Sequence, residues 1–356
     1  MVKTWDIIIV GGGIIGLCLS IALRKRGARV LLVERGEPGR EASHAAAGML
    51  AASVLEMPAA LEPLARASAA MYPEFVHELQ DESGMDVDLR DQGTLVFPAP
   101  DHHQPAWSAN HRLPAPLAEL EPALAGLNRP ALFLRERSVD PRALAAAALK
   151  AAKHRGVDIS SGSPVREVLA AGDRAMGVAT DRVDYHAPVV VNCAGAWAGR
   201  LPPVRFPTRP VKGQMLAVAG PSLLRHVVRA PEVYLVPRSN GRILIGSTLE
   251  EAGYDKRVDA EVINRMHSAA VALLHRLEQA RLLEAWTGLR PGTPDDLPLL
   301  GPTSMPGYFV AAGHFRDGIL LAPVTAEIMA QVATGSKPGY DISPFSPERF
   351  RDGYGA

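Results

Sequence analysis

Two sets of residues in this chain have the types and spacing to do chemistry. The first is Gly11-Gly12-Gly13-Ile14-Ile15-Gly16, which follows the apolar run Asp6–Val10 and precedes a second apolar run that ends in Glu34. Gly11 permits a tight turn, Gly13 lets backbone approach a pyrophosphate, and Gly16 allows a helix to pack closely on a sheet. The N-terminus of the following helix offers free N–H groups and a positive dipole end to the phosphates. Glu34 is placed to accept hydrogen bonds from ribose hydroxyls, and it would repel a 2′-phosphate. A dinucleotide lacking that phosphate is therefore expected. The second set centres on Arg290, between Gly288 and Pro291-Gly292. This reads as a rigid turn, and a planar guanidinium fixed there can clamp a carboxylate through two parallel hydrogen bonds. Neither a Ser-His-Asp set nor metal-spaced His, Asp and Glu residues occur, so no metal is expected. His102-His103 lies in a polar stretch and reads as exposed.

These residues need a scaffold. Residues 6–35 read as strand, helix and strand. Residues 58–83 carry helical periodicity through Leu61, Leu64, Met71, Phe75 and Leu79. Residues 88–97 read as a strand pair around Gln92-Gly93, and 98–130 as loop with a short helix. Asp140-Pro141 is an N-cap and first-turn pair opening an alanine-rich helix that ends at Gly156. Short strands are expected near 157–159, 165–169, 175–180 and 189–192, and several more between 208 and 249. An amphipathic helix follows over 258–278, then a strand over 308–312 and a helix over 319–334. Lys plus Arg and Asp plus Glu both number 38 in 356 residues, a balance that argues against nucleic acid or an anionic membrane as partner. No apolar run reaches the ~20 residues of a membrane-spanning helix. The start lacks a signal-peptide pattern. The two cysteines, Cys18 and Cys193, suggest neither a disulfide framework nor a zinc site. A cytoplasmic location is expected.

Five motifs together carry a resemblance: Gly11-x-Gly13-x-x-Gly16; Glu41–Met49; Asn192-Cys-Ala194-Gly195-Ala-Trp197; Trp286–Thr293; and Gly313-His314-Phe315-Arg316-Asp317-Gly318-Ile319-Leu320 running on to Pro323. With them the chain resembles glycine oxidases of the thiamine-biosynthesis type, within the D-amino-acid-oxidase superfamily of FAD-dependent oxidoreductases, nearly end to end. The resemblance implies an α/β (α+β) two-domain flavoprotein, with a Rossmann-like FAD-binding domain (1–84, 136–207 and 284–356) and an inserted, β-sheet-rich substrate domain (85–135 and 208–283). It implies oxidative deamination of glycine and other small amines or D-amino acids by hydride transfer to the flavin. The products would be a 2-oxo acid, ammonia and hydrogen peroxide.

The same resemblance assigns residues. Ile14, Ile15, Glu34 and Arg35 join the three glycines around the nucleotide. Ala42, Ser43, Ala47, Gly48 and Met49 are small enough, before Met49, for backbone to approach a flat flavin ring. Val165 meets the adenine through its backbone. Ala194, Gly195 and Trp197 turn the chain past the cofactor. The loop from His314 to Leu320 meets the pyrimidine end of the flavin, aided by a helix dipole. Arg290 and Tyr234 hold the substrate carboxylate, and Arg316 gates or supports the site unless it only pairs with Asp317. His44 raises the possibility of covalent attachment, but such oxidases resemble non-covalent binders, so dissociable FAD is expected. Partners would be a small amino acid, dioxygen and further copies of the chain, as in a tetramer. A dehydrogenase using another electron acceptor and a non-catalytic flavoprotein stand as alternatives. The facing of Met49, Ala51 and Leu249, which sets pocket size, is not fixed by sequence.

Overall fold

The computed structural model describes residues 4–52, 57–99, 112–219 and 224–350. The His102-His103 expectation lies outside them. The chain is α/β, as expected. Strand β1 (Ile7–Val10), helix α1 (Ile14–Lys25) and strand β2 (Val30–Glu34) form the first unit. β1 sits at the centre of a six-stranded sheet, parallel to β2 on one side and to the Val189–Asn192 strand on the other. The sheet is completed by Asp158–Ser161 beside β2, by Tyr308–Ala312 beside Val189–Asn192, and by an antiparallel edge strand, Leu299–Pro302. β1 and most of β2 are buried on both faces, as a parallel sheet covered on both sides requires. On one face pack α1 and the helices Glu62–Ser83, Pro141–His154 and Gly318–Ala333. Asp140 caps the Pro141–His154 helix, its side chain accepting from the N–H groups of Arg142 and Ala143.

A seven-stranded sheet carries the rest. Its long neighbours Arg209–Ala219 and Arg281–Gly292 run antiparallel, followed by Arg242–Gly246, Tyr234–Pro237, Val227–Arg229, Thr94–Val96 and Leu132–Leu134. The Ala260–Leu273 helix packs on this sheet. Two three-stranded sheets complete the strand inventory among the described residues.

Three local expectations are corrected. Leu89–Arg90 and Thr94–Val96 do not pair with each other. The first pairs with Arg137–Val139 and the second with Val227–Arg229 and Leu132–Leu134. Long-range partners override the Gln92-Gly93 turn signal, because each short strand gains more by joining an existing sheet. The amphipathic helix stops at Leu273 and continues only as a short turn over His275–Gln279. Arg290 lies not on a turn but inside the twelve-residue Arg281–Gly292 strand.

Candidate functional site

Between the two large sheets runs a cavity of about 1330 Å³, lined from Arg35, Val165 and Trp197 at one end to Tyr234 and Arg290 at the other. Drug-sized ligand sites typically reach ~1,000 Å³, so there is room for a large cofactor and a small substrate together.

At the nucleotide end, the loop after β1 is built for close approach. A Cβ on Gly11, whose φ is +106°, would lie 2.5 Å from the Cys193 carbonyl oxygen, and one on Gly16 would overlap the Gly11 carbonyl. A Cβ on Gly13 would find only ordinary contact, 3.4 Å from Ser43 Oγ. Gly11 and Gly13 line the cavity, whereas Gly16 does not. Gly16 therefore serves helix packing. Glu34 lines the cavity and its carboxylate is already engaged: Oε2 accepts from Gly12 N at 2.7 Å and Oε1 from Gly36 N at 2.9 Å. It ties the glycine loop to the end of β2 and retains lone pairs for a ribose. Asn192, fully buried, fixes the next wall. It donates to Tyr308 Oη at 2.8 Å and to the Ala198 carbonyl at 3.0 Å, and accepts from Ala194 N. Ala194, Gly195 and Trp197 then line the cavity, and the Arg35 guanidinium lies 3.6 Å from the centre of the Trp197 ring.

The 42–49 segment crosses the middle. Ser43 Oγ accepts from Ile14 N at 2.9 Å, joining this segment to the start of α1. Behind it, Arg142 Nε donates to the His44 carbonyl, Trp286 Nε1 to the Ala45 carbonyl and Arg238 to the Ala47 carbonyl. Val139 N donates to the Gly48 carbonyl at 2.8 Å. In a trans peptide C=O and N–H point in opposite directions, so the N–H groups of Gly48 and Met49 are turned away from this packed side. Both residues line the cavity. A Cβ at Gly48 would overlap the Val139 carbonyl. Burial lowers the Arg238 pKa to about 10. His44 is absent from the lining and its ring meets Arg40 at 3.1 Å, which is poor placement for covalent attachment.

The far end holds the charged groups. Arg290 Nη2 donates to Ser247 Oγ at 2.7 Å and Nη1 to the Thr248 carbonyl at 3.1 Å. Its guanidinium spans a hollow in the sheet: a Cβ at Gly213 would overlap it, one at Gly246 would lie 2.7 Å from Tyr234 Oη, and one at Gly288 would overlap Ala45. Gly213 and Gly288 face each other across the Arg209–Ala219 and Arg281–Gly292 strands, and Gly246 faces Tyr234 on the other side. Gly213, Gly246 and Ser247 were not singled out from sequence, and Gly288 was read only as a neighbour of Arg290. Burial lowers the Arg290 pKa, opposed by Tyr234. Burial raises that of Tyr234, opposed by Arg290 and Ser247. No ion pair joins Arg290 to a carboxylate among the described residues.

Beyond them, the loop 313–317 leads into the Gly318–Ala333 helix. Phe315 has φ +45°, and its N–H donates to the Pro291 carbonyl at 2.9 Å. His314 to Ile319 line the cavity, whereas Leu320 is core. The His314 side chain is buried, its Nε2 3.1 Å from Thr325 Oγ1, and burial lowers its pKa to about 3. It is neutral at working pH. Burial raises the Asp317 pKa to about 6 against the pull of Arg316 and Arg229. Arg316 faces the cavity and makes no ion pair with Asp317 among the described residues; its guanidinium stacks over Phe315 at 5.0 Å. Met49, Ala51 and Leu249 all line the cavity.

Residues 6–332 match the family model described as FAD dependent oxidoreductase. The chain belongs to this family. It is 33% identical to glycine oxidase of Pseudomonas aeruginosa, covering 96% of this chain and 98% of that protein. It is 34% identical to the hydrogen cyanide synthase subunit HcnC of the same organism, over 99% of this chain and 97% of that protein. The crystal structure of glycine oxidase from Geobacillus kaustophilus superposes with a TM-score of 0.90 at 33% identity, over 97% and 99% of the two chains. This bears out the expected family, the two-domain flavoprotein fold and FAD as cofactor. The cavity suits that cofactor: a glycine cradle at a helix N-terminus, an acidic strand end and a flat backbone segment lie along one continuous space.

Proposed function

We propose that this enzyme oxidises glycine and other small primary or secondary amines or D-amino acids with dioxygen as final acceptor, yielding a 2-oxo acid, hydrogen peroxide and ammonia (or an amine from a secondary amine), in the service of thiamine biosynthesis. FAD is proposed to sit non-covalently along the cavity, its nucleotide against Gly11, Gly13 and Glu34 and its ring against residues 47–49 and 314–319. The observation that carries the substrate class is Arg290. A part-buried guanidinium in a glycine hollow, held by Ser247 and the Thr248 carbonyl and beside the Tyr234 hydroxyl, suits a carboxylate. The similarity to glycine oxidases over the whole chain supports the same reading.

Bound FAD supplies two-electron acceptance from the substrate α-carbon. The chain's own groups orient. Arg290 and Tyr234 fix the carboxylate, and with it the direction of the α-hydrogen. The amine must be neutral for its nitrogen to push electrons. His314 is buried against Thr325 and burial lowers its pKa to about 3, which makes it a poor proton acceptor, and the candidate groups here are binding groups. Met49, Ala51 and Leu249 line the same cavity and are proposed to set the size of side chain it admits.

The test is peroxide formation with glycine, sarcosine, D-alanine and D-proline by the parent and by Arg290→Ala. The expected result is turnover by the parent and a KM raised roughly 100-fold in the variant, the scale of a lost charge-assisted pair, with FAD retained. Unchanged KM would remove the carboxylate assignment.

A further inference from the structure

Residues 247–259, between the Arg242–Gly246 strand and the Ala260–Leu273 helix, leave their own sheet only after Glu250, whose backbone exchanges two hydrogen bonds with Lys212 on the Arg209–Ala219 strand. They begin at the substrate end, where Ser247 and Thr248 hold Arg290. They end their crossing at the nucleotide end. There the Tyr254 ring lies against Trp197 with centroids 5.3 Å apart, and its hydroxyl donates to the Ala196 carbonyl at 2.9 Å. The Arg200 guanidinium covers Tyr254 at 4.0 Å. The Lys256 ammonium lies 2.8 Å from Glu41 Oε2, while Glu41 Oε1 accepts from Arg35 at 2.7 Å. The Lys256 carbonyl accepts from Thr287 Oγ1 at 2.7 Å. Asp255 stiffens the crossing by accepting from the Arg257 N–H at 2.9 Å and from its guanidinium.

The residues gripped, Arg35, Glu41, Ala196, Trp197 and Arg200, line the cavity, whereas Tyr254 and Lys256 stand behind them. They come from the end of β2, from the start of the 42–49 segment and from the turn after the Val189–Asn192 strand. For a dinucleotide to leave sideways, these walls must part. We propose that residues 250–257 are a strap that retains the cofactor, with Tyr254 and Lys256 as its two fastenings. The inference rests on FAD occupying this cavity as set out above. Tyr254 fastens through an aromatic contact and a hydrogen bond, which salt leaves untouched. Lys256 fastens through a part-exposed ion pair, which salt screens.

The test follows FAD release from the purified holoenzyme, by the rise of free-flavin fluorescence after dilution, at low and high salt. Tyr254→Leu should release FAD roughly tenfold faster at both. Lys256→Met should release it several-fold faster at low salt and at the parent's rate in high salt, because its partner pair is then screened in the parent as well. Lys256 is part-exposed, so its variant keeps the test open should Tyr254→Leu fail to fold. Release by both variants within twofold of the parent at both salts would overturn the strap. Gly13→Val separates this from the cofactor placement: its Cβ meets no clash in the protein, yet it enters the proposed phosphate space. Loss of FAD in that variant with parental release in the strap variants defeats the strap alone. Retention of FAD by Gly13→Val overturns the cofactor placement and the strap with it.

Discussion

At the scale of single residues, the site is made as much by missing side chains as by present ones. Arg290 can lie flat only because Gly213 has no Cβ. Gly213→Val is therefore expected to displace the guanidinium and reproduce the roughly 100-fold KM rise of Arg290→Ala, by lost charge-assisted bonding, with FAD still bound; kinetics on the two variants side by side check this. Asp317 gives a pH signature. Its native pKa, about 6, lies above the ordinary carboxylate value, so the native state holds the proton more tightly than the unfolded chain does. That contribution is full below the unfolded pKa and is lost as pH rises through about 6. Asp317→Asn should accordingly raise Tm at pH near 8 and have little effect near pH 4, measured by thermal scans across that range. Sequence made the chemistry of Arg290 legible, because guanidinium and flanking glycines are local. It misplaced Arg290 on a turn and passed over Gly213, Gly246 and Ser247. Their meaning arises only when three strands come into register, which no local pattern encodes.

At the scale of elements, the 42–49 segment shows how a stretch of Ala, Ser and Gly becomes a surface. Its side chains are small, Ala47 joining a core cluster with Met49 packed against it. Donors on three other elements, Arg142, Arg238 and Trp286, hold its carbonyls from behind. Arg238→Met should leave the Ala47 carbonyl unpaired, cost on the order of 2 kcal/mol of stability and weaken FAD binding. Denaturant melts and flavin titration of the variant measure both. Parental FAD affinity would show that the segment keeps its shape without this donor. The smallness of the segment was legible in sequence. The donor cluster behind it was not, since Arg142, Arg238 and Trp286 are far apart along the chain and meet only through the fold. The helix 62–83 and the Asp140-Pro141 start were legible because periodicity and capping are local. The pairing of Leu89–Arg90 and Thr94–Val96 was not, because partners from Arg137–Val139 and Val227–Arg229 decide it.

At the scale of the whole molecule, two sheets built from interleaved stretches of chain face each other across one long cavity. The six-stranded sheet presents the nucleotide loop and the helix N-terminus of Gly318–Ala333, and the seven-stranded sheet presents Tyr234 and Arg290. Glu34 links the two ends of the first βαβ unit, so Glu34→Arg should weaken FAD retention; a variant that purifies fully yellow would contradict its proposed ribose role. The βαβ unit was the most legible part of the molecule, because strand, glycine turn, helix and acid follow each other directly. No described helix is long and apolar enough to cross a membrane. In the proposed reaction a small amino acid, seated by Arg290 and Tyr234, gives its electrons to the flavin and dioxygen takes them away. The most direct measurement is the visible absorbance of the yellow protein mixed anaerobically with glycine and then exposed to air. Bleaching on glycine and rapid recovery in air is the expected result. Absence of bleaching with glycine, sarcosine and small D-amino acids alike would contradict the account, and bleaching without rapid recovery would contradict its oxidase half.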